Sequence, residues 1–96
     1  MIERRGGIFC VGQADILSPL VRKMMSEFVV VEASWRFDLR ALEYHALHEK
    51  LPMVAEGNCF PAYTLRWRTT PIVGTFALVR LWLEDEVGNE VLEWFA

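Results

Sequence analysis

Cysteine is scarce in this sequence, with only Cys10 and Cys59 among 96 residues. A secreted domain of this size usually carries four or more cysteines, joined in pairs as disulfides. We therefore expect both thiols to be free and buried, and the protein to be cytoplasmic.

An export signal and a membrane-spanning run are also lacking. Asp15 interrupts any apolar region after the charged residues 3–5, which is unlike a signal peptide. The longest uncharged stretch, residues 69–79, contains Pro71 and Gly74 and falls well short of the roughly 20 residues that a span needs. We expect no membrane contact.

Positive charge is sparse, because ten lysines and arginines face thirteen acidic residues and leave a net charge of -3. Binding to nucleic acid without sequence preference needs many cations to displace counterions. The glycines Gly6, Gly7 and Gly12 match neither spacing of a nucleotide-binding loop. These features argue against a nucleic-acid partner and against a nucleotide cofactor.

Residues that bind metals or act as nucleophiles are few and badly spaced. His45 and His48 would share a helical face, and with Cys10 and Cys59 they have the chemistry of a zinc site. Neither cysteine has a second ligand close by in sequence, and nothing visible lowers a thiol pKa. We predict no metal, no cofactor and no catalytic residues.

Apolar residues are plentiful, at 53% of the chain. This is above the usual share of about 45–50%, so a packed core is expected and disorder is not. The length fits a single domain, residues 1–96. The apolar surplus also suggests that a second chain covers part of the surface.

The first half of the chain predicts two strands and a helix. Residues 8–11 form a short apolar run, and Ser18-Pro19 is typical of a helix start before the amphipathic residues 20–28. Residues 28–37 then alternate in polarity, which predicts a half-buried strand with one apolar face of Val31, Ala33, Trp35 and Phe37.

Residues 39–50 allow two interpretations. Leu39, Leu42 and Ala46 fall on one helical face, and the helix-favouring composition predicts a helix that Pro52 ends. Leu42, Tyr44 and Ala46 also alternate with polar residues, which would suit a strand. We predict the helix on propensity.

The C-terminal half predicts three strands with short connections. Residues 63–68 alternate, residues 69–74 turn the chain, residues 75–83 are apolar on both faces, and Gly88-Asn89 indicates a hairpin. A two-residue loop would set Glu84 opposite Glu93, and a three-residue loop would set Trp82 opposite Trp94. We prefer the longer loop and leave the register open. The element order β-α-β-α-β-β-β then predicts an α+β fold, with an antiparallel sheet of about five strands and two helices packed on one face.

Tryptophan and arginine are interleaved on the predicted strands. Both residue types are common in protein interfaces, and arginine with aromatic residues also binds single-stranded nucleic acid. Ordinary core tryptophans with outward arginines would give the same pattern. We favour a small non-enzymatic protein-binding module, with a nucleic-acid-binding module as the alternative; the candidate face is Trp35, Arg36, Arg66, Trp67, Arg68, Arg80 and Trp82.

Two helices can cover only one face of the predicted sheet, and the other face would stay apolar. Soluble monomers rarely expose a large apolar patch. We therefore predict a homo-oligomer, whose candidate interface is Phe76, Leu78, Trp82, Trp94 and Phe95.

Residues 51–63 carry a short motif: an apolar residue, then Val54-Ala-Glu56-Gly57, then Pro61-Ala-Tyr63 entering a strand. It resembles a pattern in small, mostly uncharacterised phage and prophage proteins. The resemblance implies a short binding protein carried on a mobile element, with no catalytic residues to transfer. It also implies an extended segment around Tyr44.

Overall fold

A computed structural model describes residues 4–96, within which six strands dominate. One α-helix and a 3-10 turn, Gln13–Asp15, make up the helical part. The elements are β1 (Gly6–Gly12), α1 (Pro19–Met25), β2 (Val29–Arg36), β3 (Ala41–Leu47), β4 (Thr64–Ile72), β5 (Thr75–Glu84) and β6 (Glu90–Phe95).

The strands form two separate three-stranded antiparallel sheets. The N-terminal sheet has the order β1-β3-β2, and the C-terminal sheet has the order β4-β5-β6. The predicted α+β fold, one sheet of about five strands under two helices, is therefore wrong. The protein is mostly β, with one helix and a 3-10 turn within the described residues.

The predicted second helix is wrong because its residues form β3, the central strand of the N-terminal sheet. Tyr44 lies opposite Phe9 of β1 on one side and opposite Ala33 of β2 on the other. Pairing on both edges satisfies the backbone hydrogen bonds as fully as a helix would, so tertiary pairing outweighs the modest helix propensity of these residues. Arg40 reverses the chain before β3 with a φ of 49°.

The first helix is confirmed. α1 begins at Pro19 after Ser18 and buries Leu20, Val21 and Met24. It packs against β5 and β6, and ends before Phe28, which is itself buried in the core. Neither helical element of residues 4–96 is long and apolar enough to cross a membrane.

The C-terminal meander is also confirmed, and its register is neither of the two alternatives considered from the sequence. Trp82 lies opposite Glu93, and Trp94 lies opposite Leu81. The side chain of Asp85 explains the longer connection, because its Oδ1 accepts hydrogen bonds from the backbone N–H groups of Val87 (3.0 Å) and Asn89 (2.9 Å).

The two sheets are joined along β1 by a short parallel bridge. The N–H of Ile8 donates to the carbonyl of Pro61 (2.9 Å), and the N–H of Tyr63 donates to the carbonyl of Ile8 (2.8 Å). Gly7 allows this approach, because a Cβ at that position would lie 2.5 Å from the ring of Tyr63. Residues 51–63, which carry the phage-like motif, thus form the crossing between the sheets.

One core fills the space between the sheets and the helix. Its largest fully buried side chains are Phe9, Val11, Val21, Met24, Leu51, Leu81 and Leu83. The prediction that β2 is half-buried is wrong, since all of its residues but the intermediate Arg36 are exposed.

Candidate interaction surfaces

Four of the seven residues of the predicted binding face lie together on the outer face of the C-terminal sheet. Arg66 lies opposite Trp82, and Arg68 lies opposite Arg80, so the side chains share one side of β4 and β5. Trp67 belongs to the other side, opposite Leu81, and remains 56% exposed at the sheet edge. Trp35 and Arg36 belong to the N-terminal sheet.

Carboxylates neutralise this outer face. Arg80 forms ion pairs with Glu90 and with Glu93 (2.6 Å), which raise its pKa, and its guanidinium carbon lies 4.3 Å from the centre of the Trp82 ring. Glu84 accepts hydrogen bonds from the Trp82 indole N–H (2.8 Å) and from Arg66 (3.3 Å). Three arginines therefore face three glutamates, and the face has no net charge.

Arg36 forms a similar cluster on the N-terminal sheet. Its guanidinium bonds Asp38 (2.8 Å) and Glu43 (2.8 Å), and these hydrogen bonds raise the pKa of Arg36. The same bonds lower the pKa of both carboxyls, with His45 contributing further at Glu43. Each sheet thus holds one arginine between two carboxylates that lie on the neighbouring strand or turn.

The residues of the predicted oligomer interface do not form one surface. Trp94 is only 4% exposed and packs against Phe28, with ring centres 5.8 Å apart. Leu78 packs against the core, whereas Phe76 and Phe95 are exposed. Trp82 is half-buried under Arg80.

Two continuous stretches carry most of the exposed large apolar side chains. The first, here called the β2 strip, comprises β2 and the turn after it, with Val29, Val30, Val31, Trp35, Phe37 and Leu39 exposed. The second, here called the arm, is the distal part of the β4–β5 hairpin, residues 69–76, with Ile72, Val73 and Phe76 exposed. Composition alone did not single them out, because exposure depends on what packs above a strand.

A groove of about 640 Å³ lies between the start of α1 and the base of the arm. Apolar groups dominate its walls, among them Pro19, Leu20, Phe76 and Leu78, with Asp15 and Lys23 at the margin. The lining is thus mainly apolar, with one side-chain carboxylate and one ammonium group.

The two histidines and two cysteines do not gather into one site within the described residues. The expectation that both thiols are buried is wrong, since Cys59 is exposed and Cys10 is half-buried. His48 is buried, packed at a tilt against Phe28 and bonded through Nδ1 to the N–H of Lys50 (3.0 Å), while His45 contacts Glu43 on the sheet surface. Burial, with Glu43 nearby, raises the pKa of the Cys10 thiol, which disfavours the nucleophilic thiolate. Within residues 4–96, no group of three or more His, Cys, Asp or Glu side chains could hold a metal ion.

Comparison with protein-family models, with curated proteins and with solved structures gives no match to this chain. The resemblance of residues 51–63 to phage proteins stays a prediction. In this fold the same residues have structural roles: Leu51 and Tyr63 are buried in the core, and Gly57 turns the chain with a φ of 87°.

Proposed function

We propose that this protein is a small, non-enzymatic protein-binding module that associates with copies of itself. The observation that carries the proposal is the grouping of exposed apolar side chains into the β2 strip and the arm. Single exposed apolar residues are normal on a soluble protein, whereas continuous stretches mark interaction surfaces.

Edge geometry supports the same proposal. Within residues 4–96, β2 pairs with β3 alone, so its other edge carries backbone N–H and C=O groups that no described strand pairs. Natural proteins usually protect such an edge with charges, proline or a covering element. β2 instead begins with three consecutive valines and carries one acidic and one basic residue.

The alternative, a nucleic-acid-binding module, has weaker support. Its arginines would have to leave carboxylates to contact phosphate, since Arg66 and Arg80 are already paired with glutamates. The balanced charge of the face and the net charge of -3 both oppose a polyanion. A cytoplasmic location belongs to the proposal too, and the free state of Cys10 and Cys59 supports it.

Light scattering on a sizing column tests self-association directly. We expect a dimer of 2 × 11.1 kDa, or a larger assembly, at a chain concentration of tens of micromolar. The proposal predicts that the mass falls towards 11.1 kDa on dilution. A constant mass of 11.1 kDa up to the highest soluble concentration contradicts self-association.

A further inference from the structure

The open edge of β2 has a defined set of free backbone groups. The N–H of Gln13 donates to the carbonyl of Arg40, and the N–H of His48 donates to the carbonyl of Arg5. These bonds lie at the two ends of the β1–β3 ladder, so they show which of its residue pairs are hydrogen-bonded to each other. The backbone N–H and C=O groups of even-numbered β3 residues therefore bond β1, and those of odd-numbered β3 residues bond β2.

The same alternation carries across β3 to β2. Glu43 pairs with Ser34 and His45 pairs with Glu32, so these β2 residues direct their backbone groups inward to β3. Ala33 and Trp35 then direct their N–H and C=O groups outward, away from the sheet. A strand that adds to this edge must bond Ala33 and Trp35.

We infer that β2 pairs antiparallel with β2 of a second copy, about a two-fold axis at Ser34, so that the two N-terminal sheets become one six-stranded sheet. This inference rests on the proposed self-association and specifies its edge and register. With the axis at Ser34, Ala33 lies opposite Trp35 of the second copy, and both residues use their outward groups.

Charge complementarity favours this register over the two registers whose axis lies one residue away. The axis at Ser34 sets Glu32 opposite Arg36 of the second copy, twice by symmetry. Either neighbouring axis loses this ion pair. An axis at Trp35 would set Glu32 beyond the end of the second β2, beside the turn that holds Asp38, and an axis at Ala33 would leave Glu32 opposite Ser34.

Both charged residues have capacity for this contact. Glu32 makes no ion pair within residues 4–96, and the guanidinium of Arg36 uses three of its five N–H groups on Asp38 and Glu43.

The apolar side of β2 is complementary in the same register. Trp35 and Phe37 pack edge to face, with ring centres 6.1 Å apart, and both are exposed. The axis at Ser34 brings Trp35 opposite Ala33, so this aromatic ring meets a smaller side chain. Phe37 and Val31 lie beyond the regular part of β2, in the turn and at a β-bulge. The apolar side chains of the two β2 strands would then lie side by side on one face of the joined sheet.

Disulfide trapping tests the register. Ser34 would lie opposite itself at a site without ladder hydrogen bonds, where Cα atoms are about 4.5 Å apart and within the disulfide range. Ser34→Cys, in a Cys59→Ser background, should form a reducible dimer under mild oxidation. Ala33→Cys is the matched control, because its two Cα atoms would lie about 8 Å apart, beyond the range. The background alone controls for Cys10.

The outcomes separate the inference from the proposed function. Efficient trapping at position 34 with little at position 33 supports the inference. A dimer by light scattering that traps at position 33, or at neither position, overturns the inference and leaves self-association standing. A monomer by light scattering that traps nowhere overturns both.

Discussion

In the C-terminal sheet, the inward side chains of β5 are covered by α1 and the rest of the core, and Leu81 and Leu83 are fully buried. In the N-terminal sheet, β2 carries an equally apolar pattern that no element of residues 4–96 covers. The difference lies in cover: α1 packs against β5, whereas β2 has no such neighbour within the described residues. Side-chain type therefore predicts a strand, whereas neighbours decide its burial.

The largest expected effect compares a leucine-to-alanine substitution in β5 with the same substitution in the turn after β2. Leu83→Ala should lower the free energy of unfolding by about 2–5 kcal/mol, because it removes buried contacts and leaves a cavity. Leu39→Ala, in the exposed turn after β2, should change it by less than about 0.5 kcal/mol. Urea unfolding at low micromolar concentration measures both. Equal losses at the two sites would contradict the contrast between the sheets.

The next effect concerns the junction between the sheets. Gly7→Ala should cost about 1–3 kcal/mol, since a Cβ would lie 2.5 Å from the ring of the buried Tyr63, and that ring must move. Gly12→Ala is the control: it lies on the same strand, its φ is -62°, and the nearest atom to a new Cβ is 3.4 Å away. Thermal unfolding of both variants measures the loss of stability. A Gly7→Ala variant as stable as the wild type would contradict the close contact between β1 and Tyr63 at the junction of the sheets.

Local patterns predicted a good part of the fold. Alternation predicted β2 and β4, and apolar runs predicted β1 and β5. The turn at Gly88-Asn89 predicted β6, and Ser18-Pro19 marked the start of α1. β3 was missed because its residues favour a helix, and only pairing with β1 and β2 makes it a strand. The alternation of Leu42, Tyr44 and Ala46 was the correct signal and was outweighed by propensity.

The surfaces were less predictable for a related reason. The neutralisation of Arg80 depends on Glu90 and Glu93, which reach it only through the β5–β6 register. That register follows from the turn built on Asp85, whose hydrogen bonds are not evident from composition. The exposure of β2 depends on an absent neighbour, and no local residue pattern reports it.

The smallest expected effect concerns the arginine cluster of the N-terminal sheet and depends on pH. In the N-terminal sheet, the hydrogen bond from Arg36, aided by His45, lowers the pKa of Glu43 below its ordinary value of 4.5. The folded state therefore binds this proton less readily than the unfolded state, and stability rises with pH across that window. The contribution is fully present above the unfolded pKa and is lost as pH falls through the folded one. Glu43→Gln should thus destabilise the protein at pH 7 and have a smaller effect near pH 3, below the ordinary pKa of 4.5.

Urea midpoints at the two pH values measure this, and the difference between wild type and variant is the quantity to compare. Glu86→Gln is the control, because Glu86 lies in the exposed β5–β6 turn and makes no ion pair within residues 4–96. It should have little effect at either pH. A Glu43→Gln loss that is as large at pH 3 as at pH 7 would show that packing of the Glu43 side chain, rather than its charge, stabilises the β2–β3 pair. The ion pairs of Arg36 would then contribute less to the stability of the N-terminal sheet than their geometry indicates.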